Sequence, residues 1–370
     1  MKTALVMYAA SETDANLFYA TKFLVGDPVP FVQIGRRKML VLSDLEIGRG
    51  RDEADVDEIL SLSDLSRRIG KGATMARIIA LTLKDRGVSA CDVPGNFPLE
   101  LADQLRALKI KVTAKPAPLY PERLLKTPAE IRHIEAAQRA TEEAVEEALD
   151  VLRRAKIRGH KIYANGDVIT SESLRRVIDV ALMERACVAK NTIVASGDQG
   201  CDPHNRGTGP IQPDQTLILD VFPRSAKSHY YADMTRTVVK GTPSAAIQKQ
   251  YRAVLDAQEG CIAGVKHGVN GKVLHDEIRA NFEKQGYKTE PRKGKMVGYF
   301  HGTGHGVGLD IHEAPSIGGR DSVLETNAVV TVEPGLYYPG IGGVRIEDMV
   351  LVTKSGCRNL TKFPKESLRL

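Results

Sequence analysis

TLILDVFP, residues 216–223, ends an apolar run on an aspartate, and that placement decides how the second half of the chain is read. Leu217-Ile218-Leu219 reads as a strand buried on both faces, where a carboxylate is costly to ionise unless it is paired or binds a cation. The pattern recurs. YYADMTRTVVKG (230–241) carries Asp233, VVTVEPGLYY (329–338) ends its apolar run on Glu333, and GVRIEDMVLVTKSG (343–356) carries Glu347. The acids within the two pairs are 13 and 14 residues apart. This predicts a degenerate internal duplication, with each half contributing a hairpin that holds an inward-facing acidic pair.

A single acid at a strand end is ordinarily solvated or capping. Four of them in symmetric arrangement become a site when a histidine joins them, and HGTGHGVGLDIHE (301–313) holds three of the nine histidines in the chain. Gly302, Gly304 and Gly306 argue against a helix there, since each costs about 1 kcal/mol relative to alanine. The imidazoles are therefore expected on a backbone bare enough to approach another group closely. Four carboxylates neutralise two divalent cations, and a neutral imidazole completes the set. Such oxygen-rich ligation with one nitrogen suits manganese, cobalt or zinc. Two metals about 3.5–4 Å apart can share a hydroxide and clamp a tetrahedral intermediate.

Outward from these hairpins the signals are structural. Lys126-Thr127-Pro128-Ala129-Glu130 opens a long helix running to about Ala155, with Thr127 as N-cap, Pro128 in the first helical position and Glu130 three residues after the cap. Two further helices are expected near 244–266 and 271–286. Pro116, Pro118 and Pro121 mark a linker, so a first domain over 1–122 and a second over 123–370 follow. The first domain alternates strand and helix, with a hairpin around Gly35-Arg36-Arg37-Lys38 and helices near 72–86 and 97–108. The whole is an α/β (α+β) chain.

Composition narrows the classes. No apolar run approaches the ~20 residues needed to span a bilayer. Met1 to Tyr8 lacks a signal-peptide cleavage site and reads as a first strand. Five scattered cysteines without a C-x-x-C suit a reducing cytoplasm and disfavour a thiolate zinc site. The net charge of +6 is modest and dispersed, which does not indicate nucleic-acid binding.

YADMTRT, HGTGHGVGLDIHEAP, TVEPGLY and GVRIED, in this order and spacing, resemble the signature blocks of the metallopeptidases that include prolidase, aminopeptidase P and methionine aminopeptidase. The resemblance covers roughly residues 126–364. It implies a pita-bread catalytic domain with a pseudo-twofold internal repeat, and the extra first domain resembles that of the prolidase and aminopeptidase P branch. It further implies two divalent metals, manganese foremost, held by Asp220, Asp233, His305, Glu333 and Glu347. Asp233 and Glu347 would bridge, Asp220 would bind one metal, and His305 with Glu333 the other. Glu333 would also take a proton from the bridging water.

By the same match His204, His301 and His312 line the substrate pocket, and Arg345 orients the acid cluster by holding Asp233 ionised. His301 is about as well read as a packed histidine fixing its turn. His229, in the loop between the first two acids, is expected in solvent. That loop is longer than in many relatives and carries Pro223, Arg224 and Lys227 where a glycine is usual; the even insertion keeps strand parity. Ser316 stands where some prolidases have an arginine able to bind a dipeptide carboxylate, and Arg320 is near but out of register, which weighs against a strict dipeptidase. The implied activity is hydrolysis of the Xaa-Pro bond at peptide N-termini by a cytoplasmic homodimer acting on proline-containing peptides. An aminopeptidase without proline preference and a non-catalytic peptide-binding module are the alternatives.

Overall fold

The computed structural model describes residues 3–370. It divides into two compact units, one ending at Arg123 and one running from Leu124 to Leu370. The first is built on a six-stranded sheet in the spatial order Glu58–Ser61, Arg37–Leu42, Val29–Ile34, Thr3–Ala9, Ala90–Pro94, Lys111–Lys115. The predicted hairpin is present: Val29–Ile34 and Arg37–Leu42 pair antiparallel around Gly35. Helices Met75–Lys84 and Leu99–Ala107 bury Ile79, Leu83 and Leu105 against Val6 and Val32 on one face of the sheet. Phe23, Phe31, Leu40 and Leu42 form a second core.

In the second unit the long helix runs Pro128–Arg154 and opens with the predicted capping box. Thr127 Oγ1 accepts from the Glu130 amide at 3.3 Å, and Glu130 Oε2 accepts from the Thr127 amide at 2.7 Å. Two N-terminal donors that the helix cannot satisfy internally are thereby paired. Its buried residues Val145, Leu149 and Leu152 pack on Leu217, Leu219 and Met234. Helix Ser171–Glu184 joins the same core; the sequence reading assigns no element there, although Thr170 caps it and Leu174, Ile178, Ala181 and Leu182 form its buried stripe. Helices Ala245–Gly264 and Gly271–Lys284 cover the other half, burying Val254, Leu274 and Ile278 with Val330, Val332, Val350 and Val352.

Strand parity then places the acids. Thr216–Val221 lies between Ile193–Ser196 and Met234–Val239 in a three-stranded antiparallel sheet. Val329–Val332 pairs antiparallel with Asp348–Val352 in a five-stranded one. Leu217, Leu219, Met234 and Val238 face the first pair of helices, and Val330 and Val332 face the second. Side chains alternate along a strand, so Asp220, Asp233 and Glu333 point to the opposite faces. The longer loop changes nothing in this respect. The halves are not identical: the second inserts a hairpin, Gly335–Tyr338 with Gly342–Arg345, between its two acids.

Candidate metal centre

Glu333 directly follows the strand Val329–Val332, and Glu347 directly precedes Asp348–Val352, so cross-strand pairing keeps the two close. The first hairpin is stitched to the second by hydrogen bonds. The Glu347 amide donates to Thr235 O at 3.1 Å, and Thr235 Oγ1 donates to Glu347 Oε2 at 2.7 Å. Thr237 Oγ1 donates to Arg345 O at 2.8 Å. The buried Arg236 guanidinium donates to Glu347 O at 2.6 Å and to Asp348 Oδ1 at 2.8 Å.

His305 reaches this cluster from the strand Gly304–Gly306, which lies between Val329–Val332 and Glu313–Ile317. Gly304 permits the approach: a Cβ there would stand 1.9 Å from Thr331 O. The bare backbone of the HGTGH segment is thus a packing requirement. Nδ1 of His305 lies 3.2 Å from Gly306 O, an acceptor, so Nδ1 carries the hydrogen. The Nε2 lone pair is left toward Asp233 Oδ2 at 3.6 Å and Glu333 Oε1 at 3.5 Å. Glu313, the acid closing the same motif, is paired with Lys126 instead.

Burial and crowding shape the electrostatics. Desolvation, then the charge of neighbouring carboxylates, pushes Asp233 and Glu347 well above the usual carboxylate range. Burial raises Glu333 to about 7 against the opposing charge of Arg345. Burial, with His312 adding to it, holds His305 down to about 4, so its imidazole is neutral. One ligand atom each from Asp233, His305 and Glu347 lies within 4.8 Å of the others. Asp233 Oδ1 and Glu347 Oε1 are buried and accept no hydrogen bond. Buried acceptors without partners are costly, and anionic oxygens converging on a neutral imidazole fit a divalent cation. The residues present fit the metal.

All the predicted site residues line a single cavity of about 850 Å³: the five candidate ligands, His204, His301, His312 and Arg345. His312 lies edge-on to His305, with ring centroids 4.3 Å apart. Two expectations are corrected. Arg345 does not hold Asp233: it is buried against Asp220, Nη2 to Oδ2 at 2.7 Å, because its strand neighbours Thr216–Val221. His229 is buried, since the loop folds back through a positive φ of 64° at that residue. Tyr337 was not anticipated. Its hydroxyl accepts from Arg345 Nη1 at 2.8 Å and meets His301 Nε2 at 2.8 Å, while His301 Nδ1 donates to Gly302 O at 2.7 Å. Burial holds His301 down to about 3, so this ring is neutral and engaged at both nitrogens.

The profile of metallopeptidase family M24 matches residues 132–354, which span all five candidate ligands. The chain belongs to metallopeptidase family M24. Its second unit has the pita-bread fold of that family, and divalent metal use comes with membership. The chain is 34% identical over 248 residues to an Xaa-Pro dipeptidase of Pyrococcus furiosus, an alignment covering 66% of this chain and 65% of that one. An X-Pro aminopeptidase structure from Thermotoga maritima superposes with a TM-score of 0.81 at 25% identity, covering 100% of this chain and 98% of the other. For an Xaa-Pro dipeptidase from Bacillus anthracis the values are 0.84 and 26%, with 100% and 95% covered. Among the described residues no helix is long and apolar enough to cross a membrane.

Proposed function

We propose that this M24 peptidase hydrolyses the Xaa-Pro bond at the N-terminus of short peptides, with two divalent cations held by Asp220, Asp233, His305, Glu333 and Glu347. The observation that carries the reading is the convergence of Asp233, His305 and Glu347, with two buried carboxylate oxygens left without partners. Relatives and structural neighbours that act on Xaa-Pro substrates, by their names, support the substrate class. Manganese is the first metal to test; a cytoplasmic setting, suggested by the scattered cysteines, and a homodimer accompany the proposal as expectations.

When bound, such metals act as Lewis acids on the carbonyl and lower the pKa of the attacking water. The chain's own groups do the rest. His305 keeps Nε2 free for a cation by giving its Nδ1 hydrogen to Gly306 O. Arg345 fixes the position of Asp220 within the cavity through its 2.7 Å contact. Glu333, whose carboxylate lies 3.5 Å from His305 Nε2, is assigned to take the proton of the attacking water as general base. An Xaa-Pro bond has no N–H, so recognition must rest on the carbonyl and on protonating the departing nitrogen. His204 and His312 on the cavity wall are assigned to that side of the reaction.

The test is a panel of Xaa-Pro dipeptides, Xaa-Pro tripeptides and Met-Ala peptides with manganese, cobalt or zinc, alongside metal analysis of the purified protein. Metal-dependent cleavage confined to Xaa-Pro substrates is expected. Faster cleavage of Met-Ala, or full activity after chelation, would refute the reading.

A further inference from the structure

Among the described residues, the lining of the cavity of about 850 Å³ contains two arginines and no lysine. Arg345 is already committed to Asp220 and Tyr337. Arg206 is exposed, and its guanidinium makes no ion pair or hydrogen bond to any described residue. Its backbone, by contrast, is held firmly. The Val194 amide donates to Arg206 O at 3.1 Å, and Arg175 donates to the carbonyls of both Arg206 and Gly207. Asn205 Oδ1 accepts from the Gly207 amide at 2.9 Å. Gly207 has φ +75°, and a Cβ on it would stand 1.8 Å from Val194 O. The loop therefore lies flat on the Ile193–Ser196 strand and presents His204 and Arg206 to the same cavity from a fixed base.

We propose that Arg206 is the specificity residue of this site and receives the free carboxylate of a short substrate. The proposal rests on the peptidase reading above and names its preferred substrate: a dipeptide acid. Charge complementarity carries it. A dipeptide acid brings one free carboxylate, and among the described residues of the lining Arg206 is the single uncommitted guanidinium to meet it. A guanidinium matches a carboxylate with two parallel hydrogen bonds. Arg320, the other arginine suggested by the sequence, is exposed and outside the lining. Adding one residue after proline moves the carboxylate by up to ~3.6 Å, and an amide cap abolishes its charge.

The experiment measures kcat and KM of the metal-loaded enzyme and its Arg206→Gln and Arg206→Lys variants. Substrates are an Xaa-Pro dipeptide acid, its amide, and the acid and amide of Met-Ala. The expected result is that Arg206→Gln raises KM for the acid by about tenfold, as for an exposed charged hydrogen bond, and far more than for the amide. Arg206→Lys should restore part of the difference. Parallel losses on acid and amide, or no loss on either, would overturn the proposal. If only the Met-Ala pair is turned over, the proline reading fails, while Arg206 is judged by the acid-to-amide ratio in that pair. Turnover of neither pair overturns both.

Discussion

Thr235 Oγ1 donates a 2.7 Å hydrogen bond to Glu347 Oε2, joining the two acidic hairpins across 112 residues of chain. Both groups are buried, and the bond lowers the proton affinity of a carboxylate that burial otherwise raises. It also aims Glu347 while leaving Oε1 for a cation. Removing a hydrogen bond that orients a metal-binding group typically costs 10–100-fold in affinity. Thr235→Val, which keeps the shape, should weaken metal binding by about that factor in a chelator competition titration. Unaltered affinity would show that Thr235 serves only to pack the sheets together.

Asp233→Asn and Glu347→Gln should each abolish turnover and release metal, because both carboxylates belong to the convergent cluster. The metal-free variants should be at least as stable as the metal-free parent, since each substitution removes one of several crowded, buried acids. Melting temperatures in chelator and metal content by mass spectrometry check both halves of this prediction. Two metals and full activity in either variant would remove that carboxylate from the ligand set.

The metal-free protein should lose stability as pH rises. Glu333 has a folded pKa raised from 4.5 to about 7. A raised carboxylate contributes stability below its unfolded value, and that contribution disappears as pH climbs through the folded one. Asp233 and Glu347 act in the same direction. Protons and cations compete for these oxygens, so the increase in Tm on adding manganese should be larger at pH 7.5 than at pH 5.5. A metal-induced increase that is flat across this range would contradict the assignment.

His204→Ala and His312→Ala should lower kcat by 10²-fold or more, the usual scale for lost acid–base assistance, while metal content stays near that of the parent. Both line the cavity outside the three-residue convergence. Metal loss in either variant would move that histidine into the ligand set; unchanged kcat would remove it from the chemistry.

What the sequence made legible were charges in the wrong place. Asp220 and Glu333 at the ends of apolar runs are conspicuous because ionised burial is so costly, and the HGTGH glycines are conspicuous because they forbid a helix. Thr235 and Tyr337 carry no such mark, being ordinary strand residues whose role depends on a neighbour more than a hundred residues away or across a hairpin. Arg345 shows the limit most clearly. Its position two before Glu347 suggests service to Asp233, but the fold sets its strand beside Thr216–Val221 and delivers it to Asp220. Arg206 carries no mark in the sequence because a loop arginine has no pattern; only the cavity distinguishes it. His229 was placed in solvent by its loop, whereas a left-handed turn buries it.

Asp233 and Glu347 lie 114 positions apart, which gives the site a birth order. At about 5–20 residues per second of synthesis, Asp233 emerges roughly 6 to 23 s before its counterpart. Throughout that interval Asp220 also waits for Arg345, which arrives with the same late hairpin. On the proposed reading, a stalled or prematurely released chain therefore carries half of the acidic cluster and no hydrolytic capacity. Peptide cleavage switches on only once the last of the acidic hairpins has been made, so unfinished copies cannot digest their surroundings.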